Sequence, residues 1–260
     1  MSLYKYLPPI RVDVLRGGLI SVSPANSRND PFDELPALDF DFSAENLRQV
    51  YNQRPKLQHQ WVNAAAYINN RQKYKAALFG PGALKMQEKM SLKFGALCLC
   101  KEWNSIPMWS YYAKAHEGFV MEFDEKSKIF KKHFGKGERI QYGPRGKVKG
   151  WMLTPTVRQH TRKAASWRHE KEVRFLWAFE LGDKRQVEDD ENPGQMKTVF
   201  LTPFPKETLT AIYLGVRAKP EFVRSIMKNL RKWGFVNARL FHLIPHHEDF
   251  QLVPTELRVG

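Results

Sequence analysis

The stretch RHEKEVRFLW, Arg168 to Trp177, gathers several groups that can do chemistry. Read as a strand, it alternates between two faces, so Glu170, Glu172 and Arg174 share one side while Val173, Phe175 and Trp177 share the other. Two carboxylates side by side can divide acid and base work. One of them can also stabilise a sugar carbon that becomes oxocarbenium-like as its leaving group departs. The same spacing fits the wet side of a sheet, where Glu172 pairs with Arg174 or a lysine and contributes little.

Other candidates each have a plainer alternative. In PHHEDF, alternation would pair His246 with Glu248, and a metal there would need remote ligands. The two histidines are adjacent rather than four apart on a helix, so a solvated turn, and no metal, is expected. Lys131, Lys132, Arg139, Arg145, Lys147 and Lys149, interleaved with Phe134, Tyr142 and Trp151, can follow a phosphate backbone while the rings stack on bases. A solvated loop explains the same charges. Ser110 in MWSYYA can bond a ligand or its own helix backbone. Trp109 and Tyr112 read as core. Cys98 and Cys100 read as thiols on one strand face, too close in sequence for an unstrained bridge. No phosphate loop, Rossmann glycine run, zinc knuckle or nucleophile elbow occurs.

The elements that must position these residues can be read from composition and pattern. With 42% hydrophobic residues, 17 Phe, 9 Tyr and 7 Trp in 260 residues, the chain can bury an aromatic-rich core and is not a disordered chain. Lys and Arg exceed Asp and Glu by 42 to 27, a formal +15 that attracts polyanions. MSLYKYLPPIRVDV has no apolar signal core, and no window approaches the ~20 apolar residues of a membrane span. A cytoplasmic protein that does not enter the membrane is expected.

Leu3 to Leu7 reads as a strand. IRVDVLRGG, with apolar Ile10, Val14 and Leu15, reads as a short helix stopped by Gly17-Gly18, and LISVSP as a second strand. SRNDPFDE is a turn. Residues 44–93 look helical, broken at Gly80-Pro81-Gly82. GALCLCK is a buried strand. Ser105 can cap a helix that tolerates Pro107 in its first turn, presents Trp109, Tyr112, Ala113 and His116 on one face and ends at Gly118. GFVMEFD places Phe119, Met121 and Phe123 on one strand face. A basic, loop-rich segment follows, then a helix around Pro155 to Ser166. GDKRQVEDDENPGQ reads as an acidic hairpin loop. LTAIYLG, KPEFVRSIMKNLRKWG and ARLFHLIP form a strand–helix–strand unit with Ile226, Leu230 and Trp233 as core stripe. FQLVPTEL suits an edge strand, because Pro254 blocks a central one. The expected architecture is one α+β domain over residues 1–260, a central, largely antiparallel mixed sheet with a helical insertion at about 44–93.

As a set, LYKY, NDPFDE, MWSYYAKAHEGFVMEFD and WRHEKEVRF resemble a bacterial family, domain of unknown function 2971, over most of the chain. That family carries no settled activity. In layout, YKYLPPIRVDVLRGGLISVS followed by a late E-x-E is also similar to the ADP-ribosyltransferases that modify nucleic acids. This second resemblance implies that Lys5 or Tyr6 grips the nicotinamide nucleotide and that Ser110 or Tyr111 orients it. Glu172 would be catalytic and Glu170 would act on the acceptor. Two departures stand out. The first-strand position is usually Arg or His, and the middle motif usually lies on a strand. The expectation is transfer of ADP-ribose from NAD to a macromolecule such as nucleic acid. The alternative is a non-enzymatic nucleic-acid-binding or phage-defence-associated module, and an antitoxin-like partner is left open.

Overall fold

The computed structural model describes residues 2–24, 27–33, 37–39, 94–144, 147–149, 161–179, 183–188 and 194–259. The chain divides into two compact units. Strands β1 (Ser2–Leu7), β2 (Leu19–Pro24), β3 (Ala37–Asp39), β4 (Phe94–Cys100) and β5 (Phe119–Asp124) come first, then β6 (Glu138–Arg139), β7 (Gln141–Tyr142), β8 (Lys147–Lys149) and β9 (Arg162–Lys163). The remainder are β10 (Glu172–Ala178), β11 (Asp183–Glu188), β12 (Met196–Pro203), β13 (Leu209–Leu214), β14 (Arg239–Pro245) and β15 (Leu252–Leu257). Helices are α1 (Asp13–Gly17), α2 (Ile106–Tyr112), α3 (Lys128–Phe134) and α4 (Pro220–Asn229).

The larger unit comprises Met1–Pro24, Phe94–Ile140 and Ser166–Gly260. Its 11-stranded sheet runs β11-β12-β2-β4-β1-β5-β13-β14-β15, with β10 against β4 and β6 against β10. The pairing is antiparallel except for β13 and β14, which are parallel because the α4 crossover returns the chain in the same direction. The α+β expectation with a mostly antiparallel mixed sheet therefore holds. β4 is where the sheet branches. β10 pairs along β4 from Phe94 to Cys100. Facing them, β2 joins at Gly95 and Ala96, and β1 joins at Cys100. Lys5 of β1 donates from Nζ to the Cys98 carbonyl, at 3.0 Å, between those two joins.

The sheet's two faces carry separate cores. On one, Leu3, Leu7, Leu97, Leu99, Phe119, Met121, Phe123, Val173 and Phe175 pack under α1, α3 and α4. On the other, Tyr6, Cys100, Val120, Tyr213 and Phe241 pack with Met108 and Trp109 of α2. Alternation in GFVMEFD places Phe119, Met121 and Phe123 in the first core, as expected. Each such fully buried side chain stabilises the fold by about 1.5–3 kcal/mol.

Local chemistry explains the helices. Gly18, at φ 66, ends α1 with its N–H on the Val14 carbonyl. Ile10, expected in the same short helix as Val14 and Leu15, lies instead in a 3-10 turn over Pro9–Val12 and is 63% exposed. The basic segment after β5 is not the expected loop. Ser127 Oγ accepts from the N–H groups of Ile129 and Phe130 at 3.2 and 3.5 Å, and Phe130 and Phe134, four apart, bury one face of α3. α2 starts after Ser105, whose side chain makes no capping bond, and stops at Tyr112. Lys114, Ala115 and His116 then adopt φ of 48°, 50° and 70°. This left-handed turn brings His116 back over Trp109, with rings 5.9 Å apart. Glycine is required beside it. A Cβ on Gly118 would stand 2.1 Å from the Leu7 carbonyl oxygen, and one on Gly215 2.0 Å from that of His116.

Part of the expected acidic loop is strand, since Asp183–Glu188 pairs residue by residue with β12. α4 ends at Asn229, and turns carry Leu230 into the core and Trp233 against it. β15, with Pro254, lies at a sheet edge. The expected helix at 44–93, and residue Arg145, lie outside the described residues, as do 155–160 of the helix expected around Pro155 to Ser166; the rest of that span is not α-helix, since Arg162–Lys163 is strand β9 and a 3-10 turn starts at Ala165.

The smaller unit comprises Ala25–Lys93 and Gln141–Ala165. Its described strands form two parallel pairs, β3 with β8 and β7 with β9. Residues 29–33 of the NDPFDE block fold as a turn in which Asp30 Oδ1 accepts from Phe32 N–H at 2.9 Å, and buried Asp33 lies 3.8 Å from Arg28. Among the described residues of the chain, no helix is long and apolar enough to cross a membrane.

Candidate functional site

The carboxylates of RHEKEVRFLW do not all lie on one strand. A 3-10 turn over Ala165–Glu170 and a positive φ of 44° at Lys171 deliver Glu170 to the sheet before β10 begins at Glu172. Neither glutamate is on a wet face. Glu170 is 3% exposed, Glu172 6% and Arg174 0%. Arg174 Nε donates to Glu172 Oε1 at 2.6 Å, and Nη2 to Oε2 at 3.0 Å. A buried ion costs several kcal/mol of desolvation unless it is paired with good geometry, and a two-point guanidinium–carboxylate bond supplies that. Tyr112 of α2 donates its hydroxyl to Glu170 Oε1 at 2.5 Å. Lys171, by contrast, pairs with Glu102 at the surface.

Strand register sets the neighbours. Glu172 faces Cys100, Cys100 faces Tyr4 and Tyr4 faces Glu122, so the four form one row on the face that α2 covers. At about 4.8 Å per strand, the backbones of Glu172 and Tyr4 stand about 10 Å apart. The Cys100 thiol donates to the carbonyls of Glu102 and Tyr4 at 3.1 and 3.4 Å. Burial pushes this thiol up to about 12. The bond to Glu102 and the charge of Lys5 oppose the rise, whereas Glu170 and Glu172 add to it. Lys5 and both glutamates therefore all act on one sulfur. The thiol stays protonated near neutrality and is no nucleophile.

Further along the row, Glu122 accepts from Ser2 Oγ at 2.5 Å and from the Tyr213 hydroxyl at 2.7 Å. The Tyr213 ring lies between Trp103, 4.9 Å away and nearly parallel, and Phe241 at 5.0 Å. Burial, then the bond to Glu122, pushes the Tyr213 hydroxyl well up. Tyr6 is a strut. Its hydroxyl donates to the Glu102 carbonyl at 3.0 Å and accepts from Ser105 N–H at 3.3 Å, and burial raises it too.

Of the residues expected to hold the nicotinamide nucleotide, Lys5 stands at the branch of the sheet and Tyr6 lies beneath α2. Ser110 Oγ turns back to the Ile106 carbonyl at 3.1 Å on the exposed side of α2. Tyr111 is 67% exposed. The hydroxyl that meets the acidic end of β10 belongs to Tyr112, which the sequence reading assigned to core. Helical phase was the available signal, since Met108, Trp109 and Tyr112 share the sheet-facing side.

Lys131 and Lys132 are exposed on α3, and Arg139 is exposed on β6 opposite Val173. Lys147 and Lys149 fall on β8 in the smaller unit. PHHEDF is a turn in which His246 Nδ1 accepts from the N–H groups of Glu248 and Asp249 at 3.2 and 3.0 Å. Among the described residues, no group of three or more His, Cys, Asp or Glu is placed to hold a metal ion.

Residues 108–175 match the family described as "Protein of unknown function (DUF2971)". No curated protein and no solved structure matches the chain. The matched stretch contains Tyr112, Glu170, Glu172 and Arg174.

Proposed function

We propose that the chain is an ADP-ribosyltransferase-like enzyme that moves ADP-ribose from NAD to a macromolecular acceptor. One observation carries this reading: a first-strand cation, a mid-chain hydroxyl and two late glutamates converge around Cys100 at the branch of the sheet. Lys5 would hold a phosphate of the dinucleotide by exchanging its carbonyl bond for an anion. Tyr112, rather than Ser110 or Tyr111, supplies the hydroxyl. Glu172, oriented by Arg174, would stabilise the ribose carbon as its bond to nicotinamide breaks and the bonding electrons leave with that ring. The acceptor atom then bonds to the same carbon, and its proton passes to Glu170.

Purified chain incubated with labelled NAD and RNA, DNA or cell lysate should transfer or hydrolyse label, and NAD should raise its melting temperature. Absence of all three effects rejects the enzyme.

A specific observation favours a second reading, a non-enzymatic nucleic-acid-binding module. Lys128, Lys131 and Lys132 of α3 are exposed and make no ion pair among the described residues, and Arg224 and Lys228 of α4 are exposed as well. That reading expects salt-sensitive binding that survives Glu172→Gln unchanged, without NAD turnover.

A further inference from the structure

Beside Glu170, the same 3-10 turn presents two further rings, Trp167 and His169, with centroids 6.0 Å apart. The Tyr111 ring stands 6.2 Å from His169 on the other side, and 67% of Tyr111 is exposed. The three rings form a fan, with Tyr111 exposed and Trp167 and His169 half-buried. Its middle ring is held, because His169 Nδ1 lies 3.1 Å from the Ser166 carbonyl. A carbonyl oxygen only accepts, so Nδ1 carries the hydrogen and the imidazole is oriented before any ligand arrives. Arg168, exposed between Trp167 and His169, adds a cation at the fan, on a chain of formal charge +15. Adjacent Tyr112 and Glu170, bonded to each other, anchor the fan on both sides to the acidic end of β10.

We infer that this fan stacks an unpaired nucleobase and that the acceptor is single-stranded nucleic acid. As a statement about the acceptor, the inference rests on the transferase reading above. As a statement about binding, it stands on the rings. Aromatic faces take any base because every base has a π-face. A duplex keeps its bases stacked and offers only phosphates to Arg168.

The test uses the full chain, a fluorescently labelled single-stranded DNA of mixed sequence and the matching duplex, at one fixed salt concentration without NAD. Anisotropy should show the single strand bound more tightly than the duplex. Tyr111→Ala and Trp167→Ala should each weaken single-strand binding by about fivefold to a hundredfold, with duplex binding unchanged, and Tyr111→Trp should retain it. Thermal unfolding confirms that each variant is folded. Equal affinity for strand and duplex, or single-strand binding unmoved in both alanine variants, overturns the inference. NAD turnover by the wild-type chain is scored separately. Its absence removes the transferase while leaving the stacking result intact. Turnover together with unmoved single-strand binding leaves the transferase and removes this acceptor.

Discussion

Breaking the Glu172–Arg174 pair separates structural from chemical use of these residues. Arg174 is wholly buried, and its guanidinium bonds both Glu172 oxygens at 2.6 and 3.0 Å. Glu172→Ala leaves a buried cation without its carboxylate, a loss of about 3–5 kcal/mol. Native chains are stable by only about 5–15 kcal/mol, so a large share of the total is removed. The double variant Glu172→Leu/Arg174→Met removes both charges and fills similar volume. Such replacements are neutral or favourable, so most of the loss should return. Urea unfolding of Glu172→Leu, Arg174→Met and the double variant, followed by tryptophan fluorescence, gives the three differences, and the cycle should show coupling of at least about 2 kcal/mol. If Glu172→Ala costs under 1 kcal/mol, or the double variant loses the sum of the single losses, the buried-pair reasoning is refuted. Under the proposed chemistry, the restored double variant still fails to turn over NAD. Turnover at the wild-type rate would strip Glu172 of any chemical role.

Four other outcomes are expected. Gly118→Ala should destabilise by about 3 kcal/mol or more in urea, since its Cβ would meet the Leu7 carbonyl at 2.1 Å. Ala115→Gly should instead stabilise by about 0.5–1 kcal/mol, because relief of a left-handed alanine outweighs the glycine entropy, and a lowered melting temperature would contradict this. In a thiol-reagent titration at pH 8, Cys98, which is partly exposed, should react in the native chain, while Cys100, pushed up to about 12, reacts only in denaturant; equal rates would refute the assignment. His116 is held below its ordinary 6.5, first by burial and then by Arg217. The unfolded chain therefore binds its proton more readily, so this contribution to stability is present above pH 6.5 and is lost as pH falls through the folded value. His116→Phe should flatten the stability profile between pH 7 and 5, and an unchanged slope would exclude that origin.

Much of the scaffold was legible because local rules decide it. Gly17-Gly18 ends α1 because Gly18 takes a left-handed φ. The apolar alternation of GFVMEFD needs one covered face, and the strand–helix–strand near the C-terminus returns as a parallel pair. Pro254 confines β15 to an edge. α3 is marked in the sequence by Ser127 and the Phe130–Phe134 spacing, although its lysines fit a solvated loop equally well.

The candidate site was less legible. Period two says that Glu172 and Arg174 share a face, and it does not say whether anything covers that face. α2, about sixty residues earlier in the chain, packs on that side of the sheet, and the pair that an open strand face would leave wet is buried. The same docking selects Tyr112 over Ser110 and Tyr111, since helix rotation against the sheet depends on Met108 and Trp109 finding their places. The positive φ at Lys171 lifts Glu170 off the strand, and the branch at β4 brings Lys5 to Cys98. Sequence alone determined the elements, the inward stripes and the charge balance, which are properties of neighbours along the chain. Only tertiary structure decided which charged and hydroxyl groups meet, because burial and pairing depend on segments distant in sequence.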